Sequence, residues 1–214
     1  MPAAIPRDAM RIAVFAKAPV AGSVKTRLAG VLGDEAAAAL HCELVRRALA
    51  TALESGVGDV ELWCAPNMSH PFFASCAAEY PVQLRRQSGV DLGERMRRAF
   101  ECAAAADHPL LLIGSDCPAL DGRTLRTAAS SLSSHDAVIV PAEDGGYVLV
   151  GIAGSPRGIF DGVAWGAPTV MAQTRARLEA SGLRWCELDT LWDVDRPEDY
   201  ARAQGLGLLG MVNA

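Results

Sequence analysis

Pro109-Leu-Leu-Leu-Ile113 is a continuous apolar run that stops at Gly114. A run this short, bounded by helix breakers, predicts a strand buried on both faces, as the central strands of parallel sheets are. The rest of the chain supplies partners for it. Residues 11–16, 59–65, 82–86, 137–140, 147–152 and 183–188 read as further strands. Helical spacing separates them. Ala36, Leu40, Leu44, Ala48 and Leu49 mark a helix over 34–55, with Asp34 as its cap and Gly56 as its stop. Further helices are expected over 70–79, around Leu92, Met96, Phe100 and Ala103, and over 121–132, 168–181 and 197–204, the last with Pro197 in its first turn. Alternation of this kind predicts an α/β protein: a Rossmann-like three-layer α/β/α arrangement on a mostly parallel, mixed sheet. With no repeat and no linker, residues 11–205 are read as a single domain, 1–10 as a disordered leader and 206–214 as a peripheral Gly/Leu-rich tail.

Composition narrows the function. Half of the 214 residues are hydrophobic, which excludes a disordered chain. A net charge of −5 argues against nucleic acid as a partner. Cys42, Cys64, Cys76, Cys102, Cys117 and Cys186 show neither a CxxC nor a zinc spacing, so reduced core thiols in a cytoplasmic protein are expected. No apolar stretch approaches the ~20 residues of a membrane span, and no secretory signal is expected at the N-terminus. The charge is distributed unevenly. Bases collect in residues 1–30, whereas Glu187, Asp189, Asp193, Asp195, Glu198 and Asp199 crowd 187–199.

In open α/β sheets, ligands sit beyond the carboxyl ends of the strands, where the strand order switches. Four segments therefore stand out. The first, Ala16-Lys-Ala-Pro-Val-Ala-Gly-Ser-Val-Lys-Thr-Arg-Leu28, follows the first strand. Its cations and Gly22 suit a polyphosphate, although it lacks the glycine that a Walker A loop places directly before its lysine; an ordinary basic loop is the alternative. In the second, Gly114-Ser-Asp-Cys-Pro118, Asp116 stands just past the most buried strand as a metal ligand or a helix cap, the cap being better supplied by Asp121. The third, Glu143-Asp-Gly-Gly-Tyr147, is a turn that either binds nothing or presents Asp144 as a hydrogen-bond partner or base. In the fourth, Asp193 and Asp195 flank Val194 and face one way on an extended segment. Paired acids need a cation or a proton, and Mg²⁺ commonly joins carboxylates to phosphates; alternatively Asp195 caps the helix at Pro197. Arg95 is either a phosphate ligand or part of a solvated helix face. His41, His70, His108 and His135 show no catalytic spacing and read as ordinary.

Taken together, Phe15–Leu28, Asp91-Leu-Gly-Glu-Arg-Met96, Gly114–Pro118, Glu143–Tyr147 and Asp193-Val-Asp195 resemble the bacterial DUF2064 family of glycosyltransferase-A-like transferases, also described as radical-SAM/selenodomain-associated transferase 1, over residues 11–200. The resemblance implies a nucleotide-diphospho-sugar transferase fold. It implies a phosphate-binding set of Ala16, Lys17, Gly22, Lys25, Thr26 and Arg27, joined by Arg95 and Ser115. It makes Asp116 the metal-binding acid for Mg²⁺ or Mn²⁺, with Asp193 and Asp195 as the candidates beside it; Asp116 and, from the reading of its turn, Asp144 are the expected catalytic residues. Such enzymes usually present Asp-x-Asp where this chain offers Asp116 alone, so the second ligand falls to Asp193 or Asp195. Gly145, Gly146, Tyr147 and Trp165 are assigned to the acceptor or sugar, with a core position as the alternative for Trp165. The implied activity is metal-dependent transfer from a nucleotide-activated small-molecule donor to a small-molecule acceptor. Glycosyl transfer leads; nucleotidyl transfer and nucleotide binding without turnover are the alternatives. A homodimer is the expected assembly. Lys25→Ala is expected to weaken nucleotide binding while leaving the melting temperature of the free protein nearly unchanged.

Overall fold

The computed structural model describes residues 10–210. Seven strands form one sheet in the order β3-β2-β1-β4-β6-β5-β7: β1 (Arg11–Lys17), β2 (Asp59–Ala65), β3 (Gln83–Arg86), β4 (Leu110–Gly114), β5 (Ala137–Pro141), β6 (Tyr147–Ile152) and β7 (Trp185–Glu187). Every neighbouring pair is parallel except those involving β6, which runs antiparallel to β4 and β5. The mixed, mostly parallel sheet expected from the sequence is therefore present, with β4 at its centre and Leu110 to Ile113 buried.

Side chains alternate between two apolar layers because successive residues of a strand face opposite ways. Ile12 and Val14 of β1 join Val45, Leu49, Phe73 and Leu125 on one face. These come from α2 (Asp34–Ser55), α3 (Pro71–Glu79) and α5 (Gly122–Ser131). Ala13 and Phe15 join Met96, Phe100, Met171 and Leu178 on the other, supplied by α4 (Leu92–Ala105) and α6 (Val170–Ser181). Sheet between two helical layers is the three-layer arrangement. A short α1 (Ala29–Leu32), which the periodicity did not reveal, precedes α2, and α7 (Pro197–Gly205) closes the chain against it.

Helix ends follow their capping residues, with two corrections. Gly56 stops α2 in the left-handed conformation, at φ +65°. Asp121 caps α5 through the Thr124 amide. Asp34, however, does not cap α2: Gly33 holds that place and Asp34 is the first helical residue, where its charge favours the positive helix end. Nor does Asp195 cap α7. Asp199, one turn inside, accepts from the amides of Asp195 and Arg196 at 3.1 and 2.8 Å.

Both ends of the described residues are bound more closely than expected. Met10, assigned to the leader, is 2% exposed and belongs to the core; the rest of the leader lies outside the described residues. Of the tail, 211–214 also lie outside them. Leu209 packs with Leu40 and Leu44 of α2 and with Trp192 and Tyr200, and the Gly210 amide donates to Glu43. Burying an apolar side chain outweighs the flexibility its glycines would allow. The six cysteines are free thiols; Cys64 and Cys76 are buried as expected, whereas Cys102 is exposed. Among the described residues no helix is long and apolar enough to cross a membrane.

Candidate functional site

From β1 the chain runs outward to β2 and β3, then returns on the other side of β1 as β4. The switch point thus lies between β1 and β4. A cleft of about 590 Å³ opens there, floored by Ala16 and Lys17 at the end of β1 and by Ser115 and Asp116 just past β4. The loop carrying Lys25, Thr26 and Arg27 forms one wall. Arg95 of α4, Asp144 and Asp195 complete the rim.

Lys25 organises the floor. Its backbone sits in the left-handed region at φ +49°, and its side chain is 2% exposed. Its ammonium donates to Asp116 Oδ1 at 2.8 Å and to the Val194 carbonyl at 2.7 Å. The Val194 amide in turn donates to the Asp116 carbonyl at 2.8 Å. One lysine therefore joins the β1 loop, the end of β4 and the acid-rich segment, the two oppositely charged regions of the sequence.

The closest contacts of Asp116 run through Oδ1, which also accepts from the Ser115 hydroxyl at 3.2 Å. The side chain stays 43% exposed and lines the cleft. Burial pushes its pKa up, but the Lys25 ammonium, aided by His41 and the Ser115 hydroxyl, holds it below the usual carboxylate range. Asp193 behaves oppositely. Burial, together with the Asp144 and Asp116 carboxylates, pushes it up to about 6. Asp193 thus feels the charges of Asp116 and Asp144, although it does not itself line the cleft. Asp195 instead accepts from Arg27 at the surface, where such a pair is worth about 0–1 kcal/mol.

This asymmetry has a measurable consequence. The folded state holds the Asp193 proton more tightly than the unfolded chain does, so this group's share of stability is present below about pH 4 and lost as pH rises through about 6. Asp193→Asn removes the penalty. It is expected to raise the melting temperature at pH 7.5 by about 4–8 °C, from about 2 kcal/mol, with the gain vanishing near pH 4. Thermal melts of both proteins across that range check it.

Lys17 and Arg95 face the cleft without a carboxylate partner among the described residues. Arg95 donates only to the Gly89 carbonyl, at 3.3 Å. The amides of Val24, Lys25, Thr26 and Arg27 likewise donate to no acceptor among the described residues. Consecutive free amides around a left-handed residue are the arrangement that accommodates an oxyanion. Gly22, at φ +73°, shapes the loop from outside the cleft lining.

The turn between β5 and β6 places Asp144. The Asp144 carboxylate accepts from the Gly146 amide at 2.8 Å. Gly145 adopts φ +90° and lies so close to the Pro168 carbonyl that a Cβ would stand 2.1 Å from it, and its own carbonyl accepts from the Met171 amide. Gly145, Gly146, Tyr147 and Trp165 do not line the cleft. Trp165 packs edge-on to Tyr147 and over Gly93, whose missing side chain makes the room. Trp165 is partly buried and packs against the apolar layer that holds Met96 and Phe100.

Two buried polar residues of the cleft were not assigned to it from the sequence: Gln87 was not singled out, and His41 was read as ordinary. Gln87 is buried, and its side-chain amide donates to the carbonyls of Trp63 and Ala16 at 2.7 and 3.3 Å, bracing the ends of β2 and β1. His41 is 4% exposed. Its Nε2 lies 3.0 Å from the Lys17 carbonyl and its Nδ1 3.8 Å from Asp116 Oδ1. Burial holds the imidazole pKa below its ordinary value against the pull of Asp116. Its signal was positional: it sits on the apolar face of α2 between Ala37 and Val45. Gln87 had none.

The model of a family described as "Uncharacterized protein conserved in bacteria (DUF2064)" matches residues 48–167. No curated protein matches the chain. Among solved structures, a candidate nucleotide-diphospho-sugar transferase from Desulfovibrio desulfuricans G20 is 31% identical, with a TM-score of 0.81 over 88% of this chain and 83% of that one. A nucleotidyl transferase from Methanothermobacter thermautotroptrophicus shares the fold at 18% identity and a TM-score of 0.61, covering 93% and 98%. So does a 4-diphosphocytidyl-2C-methyl-D-erythritol synthase from Anaerococcus prevotii DSM 20548, at 10% identity and a TM-score of 0.61, covering 94% and 100%.

Proposed function

The chain belongs to the bacterial DUF2064 family, and on that premise we propose that it is a transferase using a nucleotide-activated donor, with glycosyl transfer from a nucleoside diphospho-sugar as its reaction. One observation carries this reading: two cations without carboxylate partners, Lys17 and Arg95, face an acid held by a buried lysine across a single cleft at the switch point.

The donor's diphosphate lies between Lys17, Arg95 and the amides of Val24 to Arg27. Charge builds on that diphosphate as its bond to the sugar breaks, and fixed donors already in place stabilise it without reorganising. Lys25 does not reach out to it. Its ammonium is committed to Asp116 and Val194, so it keeps Asp116 ionised and the loop in register. Asp144, exposed at the rim, is the group to accept a proton from the attacking acceptor.

The donor set fits Mg²⁺ or Mn²⁺. Among the described residues no three His, Cys, Asp or Glu side chains are gathered into a ligand set. A hard cation nevertheless needs only one or two carboxylates when phosphates and water complete its shell. Asp116 and Asp193, whose repulsion from Asp116 and Asp144 a cation would relieve, are the residues to hold it. When bound, the cation would neutralise charge on the leaving diphosphate.

Phosphorus NMR of the products tests the reading. Incubation with nucleoside diphospho-sugars, Mg²⁺ and a panel of small-molecule hydroxyl acceptors, one of which takes the sugar, is expected to release a nucleoside diphosphate. Pyrophosphate released from a nucleoside triphosphate would instead identify nucleotidyl transfer, and turnover of neither class would rule out both.

A further inference from the structure

A second hollow, of about 320 Å³, adjoins the cleft on the side toward β2. Lys17, Ser23, Val24 and Arg95 line both. Ala18, Val20, Ala65 and Pro66 complete the hollow and make it mostly apolar, whereas Asp116 and Asp144 line the cleft alone. The strand order β2-β1-β4 explains the division. The proposed diphosphate lies over the end of β1, and Asp116 stands just past β4, so the sugar end of a donor points toward β4. Its nucleoside end is left the β2 side, where the hollow lies.

The hollow has little with which to read a base. Amides of its wall are spent within the protein: Ala18 on the Ala65 carbonyl at 2.7 Å, Val20 on the Ala18 carbonyl at 2.8 Å, Ser23 on the Val20 carbonyl at 2.9 Å and Arg95 on the Asp91 carbonyl at 3.2 Å. Pro66 has no amide hydrogen. The Val24 amide and the side chains of Lys17 and Arg95 are those that hold the proposed diphosphate. Among the lining side chains only the Ser23 hydroxyl remains. It both donates and accepts, so amino and keto edges suit it equally. Sites discriminate strongly where the wrong ligand would leave fixed polar groups unpaired, and weakly where their walls are apolar. Val20 on the wall is 47% exposed, so water reaches the hollow and can satisfy the edges of any base. We propose that the hollow holds the nucleobase of the donor by apolar contact and accepts purines and pyrimidines alike, an inference that rests on the donor reading above.

Calorimetric titration with UDP, CDP, GDP and ADP, and with inorganic pyrophosphate as the base-free probe, tests this. The four nucleotides are expected to bind within about 10-fold of one another, and each tighter than pyrophosphate by about 10-fold. Val20→Ser thins the apolar wall at a half-exposed position. It is expected to weaken all four nucleotides by about 5-fold and to leave pyrophosphate unchanged. A larger preference for one base would overturn the tolerance. Nucleotides no tighter than pyrophosphate, or indifferent to Val20→Ser, would take the base out of the hollow and overturn the placement. If neither pyrophosphate nor any nucleotide binds, the donor reading of the cleft falls first, and the proposal with it.

Discussion

Replacing Asp116 by alanine is expected to lower the melting temperature by about 6–12 °C, from a loss of about 3 kcal/mol. The reason lies in its partner. Lys25 is 2% exposed and would keep its charge in a buried place with only the Val194 carbonyl to answer it. Breaking such a pair from one side costs more than the pair contributes, because it leaves an uncompensated charge. The reciprocal change is milder. Lys25→Met keeps the apolar stem, and Asp116, being 43% exposed, can turn its charge to water. About 1 kcal/mol, or about 2–4 °C, is expected there. Thermal melts of the two variants and of the double variant check the asymmetry. An equal loss from both single variants would place Asp116 in a drier environment than the cleft provides. These values replace the sequence-based expectation that Lys25 could be truncated without thermal cost, which took it for a solvent-facing phosphate ligand.

The second large effect concerns binding alone. The double variant Lys17→Ala/Arg95→Ala is expected to weaken a nucleoside diphospho-sugar by about 100-fold. Two charge-assisted hydrogen bonds at about 1.5 kcal/mol each supply that factor. Neither side chain has a carboxylate partner among the described residues, so the melting temperature should stay within about 2 °C, the range of ordinary surface substitutions. Calorimetric titration with a donor sugar nucleotide reads the first quantity and a thermal melt the second. A drop in melting temperature without a change in affinity would assign both residues to the fold.

Much of the fold was legible because strands and helices announce themselves by different periods. The run ending at Ile113 marked the sheet's centre, and Asp116 marked the cleft, since a polar residue directly beyond a buried strand has few other places to face. Lys25 could be located but not interpreted. Its spacing from Gly22 says nothing of the left-handed backbone at residue 25 that folds its side chain inward. The glycines at 145 and 146 were read as room for a ligand, whereas tertiary packing gives that room to Pro168 and to the turn's own carboxylate. His41 and Gln87 act through main-chain carbonyls distant in sequence, and no local pattern encodes such a partner. The alternation of Asp193 and Asp195 promised a matched pair. Arg27 took one of them, and the other lies away from the cleft lining, within the influence of the Asp116 and Asp144 charges.

Locating a bound diphosphate tests the central claim most directly. A crystal structure of the protein with a nucleoside diphospho-sugar and Mn²⁺ is expected to place both phosphates within hydrogen-bonding distance of the Lys17 and Arg95 side chains and the amides of Val24 to Arg27, with Asp116 beside them and Lys25 still on Asp116. A diphosphate bound outside the cleft between β1 and β4, or one held by Lys25 and remote from Lys17 and Arg95, would contradict the account.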